Sequence, residues 1–477
     1  MTVTEPIRHG LAGTVASTGV KPDFPSYDDY LRADTGSVPE AMFEVGTRPP
    51  SSARISKDRF LSREYHEAEV QNLWKKVWQI ACRENDIPAA GDFIEYSIAD
   101  QSVVVVRQPD GGIRAFHNAC LHRGSRLKDN NRRGTAGVIT CPFHGWSWRN
   151  DGSVHNIPCQ WDFEGLDPER YRLRPVRTDT WNGFVYVNFD PAAEPLADFI
   201  GPTLRRHFQR WPLGQRWKAV HLGKIVPCNW KVATKAFLEV YHFATTHPQI
   251  INYSGDINAK YDSFGRHARM MSPTAVSSPL IRDCLDEQEI ADEMIGDMVA
   301  DMFRDPNIEV AMPTVPPNGT ARPVVAEWMR RNRKDTTGVD FSGSCDAEML
   351  DVIQYYVFPN TMPWAGDAFP LMYRVRPHGN DPERALFEIM LLVKLPAGTP
   401  LPPDTPMRTV PEEQLFADCP ELGGGGGIFD QDMEGLRRVQ QGLHVDGLDA
   451  LTLAGYQEQN IRGFLDDVDA YVRAARP

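Results

Sequence analysis

Apolar residues first recur at helical spacing between Asp58 and Trp78, where Tyr65, Val70, Leu73 and Val77 share one face. The pattern then changes to short alternating runs. Phe93–Ile98, Ser102–Arg107 and Ile113–Asn118 read as strands, with Asp110-Gly111-Gly112 as the hairpin turn between the last two. Val138–Cys141, Trp146–Arg149 and Phe184–Phe189 continue the series, and Asn150-Asp151-Gly152 marks another turn. A helix over residues 56–78 followed by a small β-rich domain over 79–192 is therefore expected. Upstream, residues 1–55 are rich in Pro, Gly, Ser and Thr. They predict an irregular arm wrapped on a neighbouring domain or subunit, with disorder as the plainer reading.

Residues 193–477 form a longer mixed region. Trp230–His242 has helical character. Residues 275–345 are polar and broken by prolines, and read as a helical excursion with loops. Asp351–Phe358, Leu371–Val375 and Ala385–Leu395 read as strands of one sheet, and Leu401–Thr409 is a Pro-rich loop. Gly423–Gly427 lacks the strand-to-helix context of a nucleotide loop and reads as a flexible connection. Asp430–Leu443 and Gln457–Ala475 are amphipathic helices.

Charge narrows the partners. The chain has 51 Lys and Arg against 64 Asp and Glu, a net charge of −13, so nothing favours a nucleic-acid backbone. Its 8 cysteines are scattered over 477 residues, unlike a secreted disulfide framework. Leu11–Val20 is broken by Gly, Thr and Ser and lacks the apolar core of a leader, and no run approaches the roughly 18–20 residues that span a bilayer. A cytoplasmic location follows as an expectation, with thiolates kept reduced.

Two constellations carry chemistry. In the first, Cys120-x-His122 and Cys141-x2-His144 supply two thiolates and two imidazoles from two short loops. Such a set suits a [2Fe–2S] cluster in which two imidazoles replace two thiolates. Zinc is the alternative, although zinc sites usually pair Cys with Cys and His with His. Cys159 has no His partner at ligand spacing and reads as a buried free thiol. In the second, Glu239-x2-His242-x4-His247 offers imidazoles for one face of an Fe(II) ion. On a regular helix residues five apart diverge by about 140°, and Pro248 disfavours helical geometry at His247. The helix is thus expected to end or distort after His242.

The segment 120–148, followed downstream by Asn229-Trp230-Lys231, Glu239, Tyr241-His242 and His247, resembles the catalytic (alpha) subunit of Rieske-type non-haem iron ring-hydroxylating oxygenases. The resemblance implies an α+β fold: an antiparallel-β Rieske domain and a helix-grip (START/Bet v1-like) catalytic domain, with Val357-Phe358-Pro359-Asn360 at a strand end of its sheet. It assigns Cys120 and Cys141 to one iron of the cluster, His122 and His144 to the other, and His242 and His247 to a mononuclear iron. By the same resemblance Asp432 is the third ligand, with Asp430 and Glu434 as competitors. Glu239 becomes the carboxylate linking the two centres between subunits, and Tyr241 packs near the iron. The implied activity is hydroxylation of an aromatic or related organic substrate with O2, or monooxygenation or dealkylation by the same parts; a bare Rieske electron carrier is the remote alternative. NAD(P)H enters only through a partner reductase, with or without a ferredoxin. A homotrimer is implied and a small β subunit stays open. The arm 1–55 and the excursion 275–345 fall outside the resemblance, and the excursion is expected to cap the pocket. Where family members commonly carry Glu-Asn this chain has Lys235-Ala236, which unsettles any close analogy for O2 positioning.

Overall fold

The computed structural model describes residues 23–49, 51–281, 285–303 and 311–474. Residues 1–22 of the arm, Cys284 and residues 475–477 lie outside them.

The first layer is β-rich. After helix α1 (Arg63–Glu69) come β1 (Gln79–Arg83), β2 (Asp92–Ile98), β3 (Gln101–Arg107), β4 (Ile113–His117) and β5 (Arg133–Thr135). β6 (Val138–Thr140), β7 (Ser147–Arg149), β8 (Val154–Asn156), β9 (Pro175–Trp181) and β10 (Phe184–Asn188) follow. Seven of these make an antiparallel sheet in the order β1-β10-β9-β4-β3-β2-β5, and β6-β7-β8 form a small sheet of their own. Val103–Val106 are buried in succession along β3, as expected where both faces of a strand are covered.

The second layer is built on helix α2 (Leu196–Arg210), β11 (Trp217–Val226), α3 (Trp230–Lys235) and α4 (Phe243–Thr246). It continues through β12 (Lys260–Phe264), β13 (His267–Ser272), α5 (Glu287–Phe303), α6 (Ala321–Thr337) and α7 (Asp346–Leu350). Its last elements are β14 (Val352–Tyr356), β15 (Thr361–Pro363), β16 (Leu371–Pro377), β17 (Ala385–Val393), β18 (Arg408–Val410), α8 (Gly426–Leu443) and α9 (Gln459–Arg473). One sheet runs β15-β16-β17-β11-β18, and β12-β13-β14 form another. Helix α3 packs on the first of these, and α8 packs against α3. Among the described residues no helix is long and apolar enough to cross a membrane.

A buried ion cluster clamps the two layers together. Glu388 on β17 is fully buried; its carboxylate takes Arg374 at 2.6 Å and 2.7 Å, Arg376 at 3.1 Å and His221 at 3.1 Å. Burial alone would raise its pKa, but the two guanidiniums outweigh that and hold it well below the usual carboxylate range. The same arginines donate across the layers, Arg374 to Ile80 O at 2.9 Å and Arg376 to Ser97 O at 2.6 Å.

The described part of the arm packs on the second layer, a neighbouring domain of its own chain: Lys260 Nζ meets Asp28 at 2.9 Å, and Arg48 grips Asp467 at 2.7 Å and 2.8 Å. Two expectations need correction. The glycine run is structured rather than a loose connection: Gly423–Gly425 close a 3-10 turn and Gly426 and Gly427 begin α8. A Cβ on Gly426 would lie 2.4 Å from the Phe416 carbonyl oxygen, so glycine is kept there by close backbone approach. Cys159 is exposed, in a turn at φ 52°.

Candidate metal centres and substrate cavity

The first centre sits at the tips of two matched turns. Cys120 N donates to Ser125 O at 2.8 Å and Gly124 N to Cys120 O at 2.9 Å. The second loop repeats this with Cys141 N to Trp146 O at 2.8 Å and Gly145 N to Cys141 O at 3.2 Å. Each turn needs a left-handed residue, supplied by Gly124 at φ 76° and Gly145 at φ 74°. The rings of His122 and His144 lie 4.8 Å apart, and Trp146 stacks on His122 at 5.0 Å. Both cysteines are buried.

The donor set fits a cluster. Burial works against ionising Cys141, yet the backbone N–H groups of Phe143 and His144 and the neighbouring Cys120 thiol draw its pKa below the ordinary thiol value. Amides aimed at sulfur are what an anionic iron–sulfur group requires. Among the described residues His122 Nδ1 is buried with no hydrogen-bond partner, an orphan that a metal would satisfy.

The second centre gathers residues far apart in sequence. Helix α3 ends at Lys235, seven residues before His242, so the break comes earlier than the sequence pattern implies. The reason is local competition for backbone groups. The Gln354 amide takes the Phe237 carbonyl, and Glu239 Oε2 takes the His242 N–H at 3.0 Å. His247 follows α4 with φ −123° and ψ 58°, outside helical geometry, as Pro248 requires.

His242, His247 and Asp432 offer ligand atoms that all lie within 4.8 Å of one another. His247 Nε2 is 3.1 Å from Asp432 Oδ1, and His242 Nε2 is 3.7 Å from the same oxygen. The opposite nitrogens are taken: His242 Nδ1 meets Glu239 Oε1 at 2.7 Å and His247 Nδ1 meets Gln431 Oε1 at 2.8 Å. With Nδ1–H donating, both Nε2 lone pairs of the neutral rings face a carboxylate, an arrangement relieved by a proton or by a metal cation between them. Two imidazoles and one carboxylate thus fit a divalent iron. Burial depresses protonation of His242, but the Glu239 carboxylate outweighs it and raises its pKa in the metal-free chain.

The competing carboxylates are engaged elsewhere. Asp430 accepts from the Phe416 and Ala417 amides at 2.8 Å and 2.9 Å, and Glu434 pairs with Arg437 and Arg438. Asp432 lies on the buried stripe of α8 with Phe429, Leu436 and Gln440. Gln440 accepts from Asn229 N at 3.0 Å, and Asn229 caps α3 through Lys231 N at 2.9 Å. That link keeps α3 and α8 in register. Tyr241, expected beside the metal, is instead 51% exposed and does not line the cavity, because the turn after Glu239 directs it outward.

A cavity of about 320 Å³ opens from the triad. Its walls are largely apolar and include Phe237, Trp364, Tyr373 and Phe429. Four contributors were missed from sequence. Gln431 had no pattern of its own, only its place beside Asp432. Met294, Asp297 and Met298 of α5 line the cavity, and only the general suggestion of a cap pointed to that excursion. Ala236 also lines it, whereas Lys235 lies 5.2 Å over the Phe60 ring, its pKa brought down to about 8 by burial.

Comparison with known proteins agrees with this layout. Residues 77–167 match the Rieske [2Fe-2S] domain, and residues 208–474 match the ring hydroxylating alpha subunit (catalytic domain). The chain is 34% identical over 202 residues to the anthranilate 1,2-dioxygenase large subunit of Acinetobacter baylyi, covering 41% of this chain and 42% of that protein. It is 32% identical over 184 residues to the carnitine monooxygenase oxygenase subunit of Escherichia coli K12, covering 38% and 49%. The chain thus spans less than half the length of these curated relatives. Among solved structures, a quaternary ammonium Rieske monooxygenase superposes with a TM-score of 0.63 at 19% identity, over 90% of this chain and 100% of that one. Naphthalene 1,2-dioxygenase from Rhodococcus sp. gives 0.58 at 18%, over 89% and 95%. At such identities the likeness speaks to fold. With a Rieske domain followed by a catalytic-domain match over more than half its length, the chain belongs to the ring-hydroxylating alpha-subunit family.

Proposed function

We propose that this protein is the terminal oxygenase of a multicomponent system, using O2 and externally supplied electrons to hydroxylate an organic substrate. The observation that carries the reading is the His242–His247–Asp432 triad opening onto one apolar cavity, in a chain that also bears the four-ligand Cys/His loops. Cys120, Cys141, His122 and His144 would hold the [2Fe–2S] cluster, and His242, His247 and Asp432 the iron. The cluster supplies single electrons and the mononuclear iron supplies dioxygen activation. Glu239 and Gln431 fix the tautomer and ring angle of the two imidazoles. The apolar walls exclude water and hold the substrate against the triad.

Electrons would come from an NAD(P)H-dependent reductase, directly or through a ferredoxin. His144 is exposed at the edge of its loop, where an electron can leave or enter. Tyr241 is exposed beside Glu239. Both features favour transfer between neighbouring subunits of a ring-shaped trimer, with Glu239 as the link. The test is isotopically labelled dioxygen with an aromatic probe such as indole and a surrogate reductase. Label in the product is expected. Fully metal-loaded protein that consumes no oxygen with any of a panel of neutral and charged aromatics would contradict the proposal.

A further inference from the structure

The charge of the cavity wall bears on the substrate. Among the described residues, neither Lys nor Arg lines it, whereas Glu239, Asp297 and Asp432 do. A divalent ion held by Asp432 keeps one positive charge, which Glu239 balances through His242. Asp297 then leaves the lining one negative charge in excess. Asp297 stands on α5, is solvent-exposed while lining the cavity, and accepts a hydrogen bond from Tyr253 Oη at 2.7 Å. Among the described residues it makes no ion pair. The remaining wall presents aromatic rings, with Phe369 5.4 Å and Tyr373 6.1 Å from Trp364. Aromatic faces attract cations and repel anions through their quadrupole. A carboxylate entering this space would lose its hydration and find no cationic side chain in return.

We propose that the cavity takes an apolar ring substrate bearing an ammonium or other cationic group and turns away carboxylates, with Asp297 as the residue that determines this preference. This rests on the oxygenase reading only in taking the cavity for the substrate site. The volume of about 320 Å³ is roughly twice the ~150 Å³ that admits benzene in an engineered core, so a two-ring body or a ring with a short chain fits. The ammonium is placed toward Asp297 and the ring body on the aromatic side chains of the wall.

The test is anaerobic calorimetry on the metal-loaded protein with three probes of one shape: naphthylmethylammonium, naphthylmethanol and naphthoate. The ammonium should bind tightest and the carboxylate weakest, about tenfold apart, the size expected from one exposed ion pair plus a cation–π contact. Asp297→Asn should shrink that ratio to about twofold while leaving the alcohol unchanged. Equal or tighter binding of naphthoate would overturn the proposal, as would a ratio unmoved in Asp297→Asn or no binding of any probe. Because no turnover is needed, failure here is separate from failure of the oxygenase reading, which the labelled-oxygen experiment decides.

Discussion

Gln431→Leu probes how the iron site is held. Gln431 Oε1 accepts from His247 Nδ1 at 2.8 Å, and the amide is itself oriented by Gln249 Nε2 at 2.8 Å. His247 is only 1% exposed, so water cannot replace the lost acceptor. Leucine has similar bulk and no acceptor. It leaves a buried N–H unpaired at a cost of about 1–3 kcal/mol and frees the ring to rotate its Nε2 away from Asp432. At about 1.4 kcal/mol per tenfold, mononuclear iron affinity should fall about 10–100-fold. Anaerobic iron titration against a competing chelator measures this, with sulfide content and the cluster's EPR signal as internal controls. Those controls should not change, since Gln431 touches neither cluster loop. Iron affinity within twofold of the parent would refute the role given to this hydrogen bond. Loss of the cluster in parallel would show general unfolding instead.

Other predictions concern stability. Glu388→Leu strands Arg374 and Arg376 in the interior and should cost about 3–5 kcal/mol by denaturant unfolding; a change below about 1 kcal/mol would contradict the clamp between the layers. Gly426→Ala drives a Cβ into the Phe416 carbonyl and should cost about 1–3 kcal/mol while loosening iron binding through α8; unaltered melting would show the backbone has room. Burial pushes His221 and His267 down to about 4. His267 is satisfied only as the neutral ring, donating to Phe199 O at 2.8 Å and accepting from Phe358 N at 3.1 Å. The unfolded chain takes up these protons below about pH 6.5 and the folded chain refuses them. Stability should therefore be full above that value and fall as pH drops towards 4, by about 2 kcal/mol per histidine at about pH 5. A melting temperature flat from about pH 7 to 5 would contradict this.

What could be read from the sequence depended on how local the determinant is. Cys120, His122, Cys141 and His144 announce themselves because each loop closes within six residues and its turn demands Gly124 or Gly145. The strands of the β-rich layer were legible for the same reason: alternation and hairpin turns are local signals. The end of α3 was misplaced because the Gln354 amide, from a strand more than a hundred residues away, takes the Phe237 carbonyl. Gly426 looked like a loop residue because its constraint is the Phe416 carbonyl, which no local rule contains. The resemblance already placed Asp432 ahead of Asp430, and the structure supplies the physical reason, since Asp430 ties down the 416–417 amides. Asp297 reaches the cavity only through the packing of α5, so its position could not be inferred from spacing.

The most direct measurement is iron and acid-labile sulfide content with EPR on anaerobically purified, dithionite-reduced protein, set beside His242→Ala. The account predicts about three irons and two sulfides per chain with a Rieske-type signal, and a variant that keeps the cluster and loses the single iron. Zinc without sulfide would contradict it at both centres, and a cluster with no further iron in the parent protein would leave the triad without its metal.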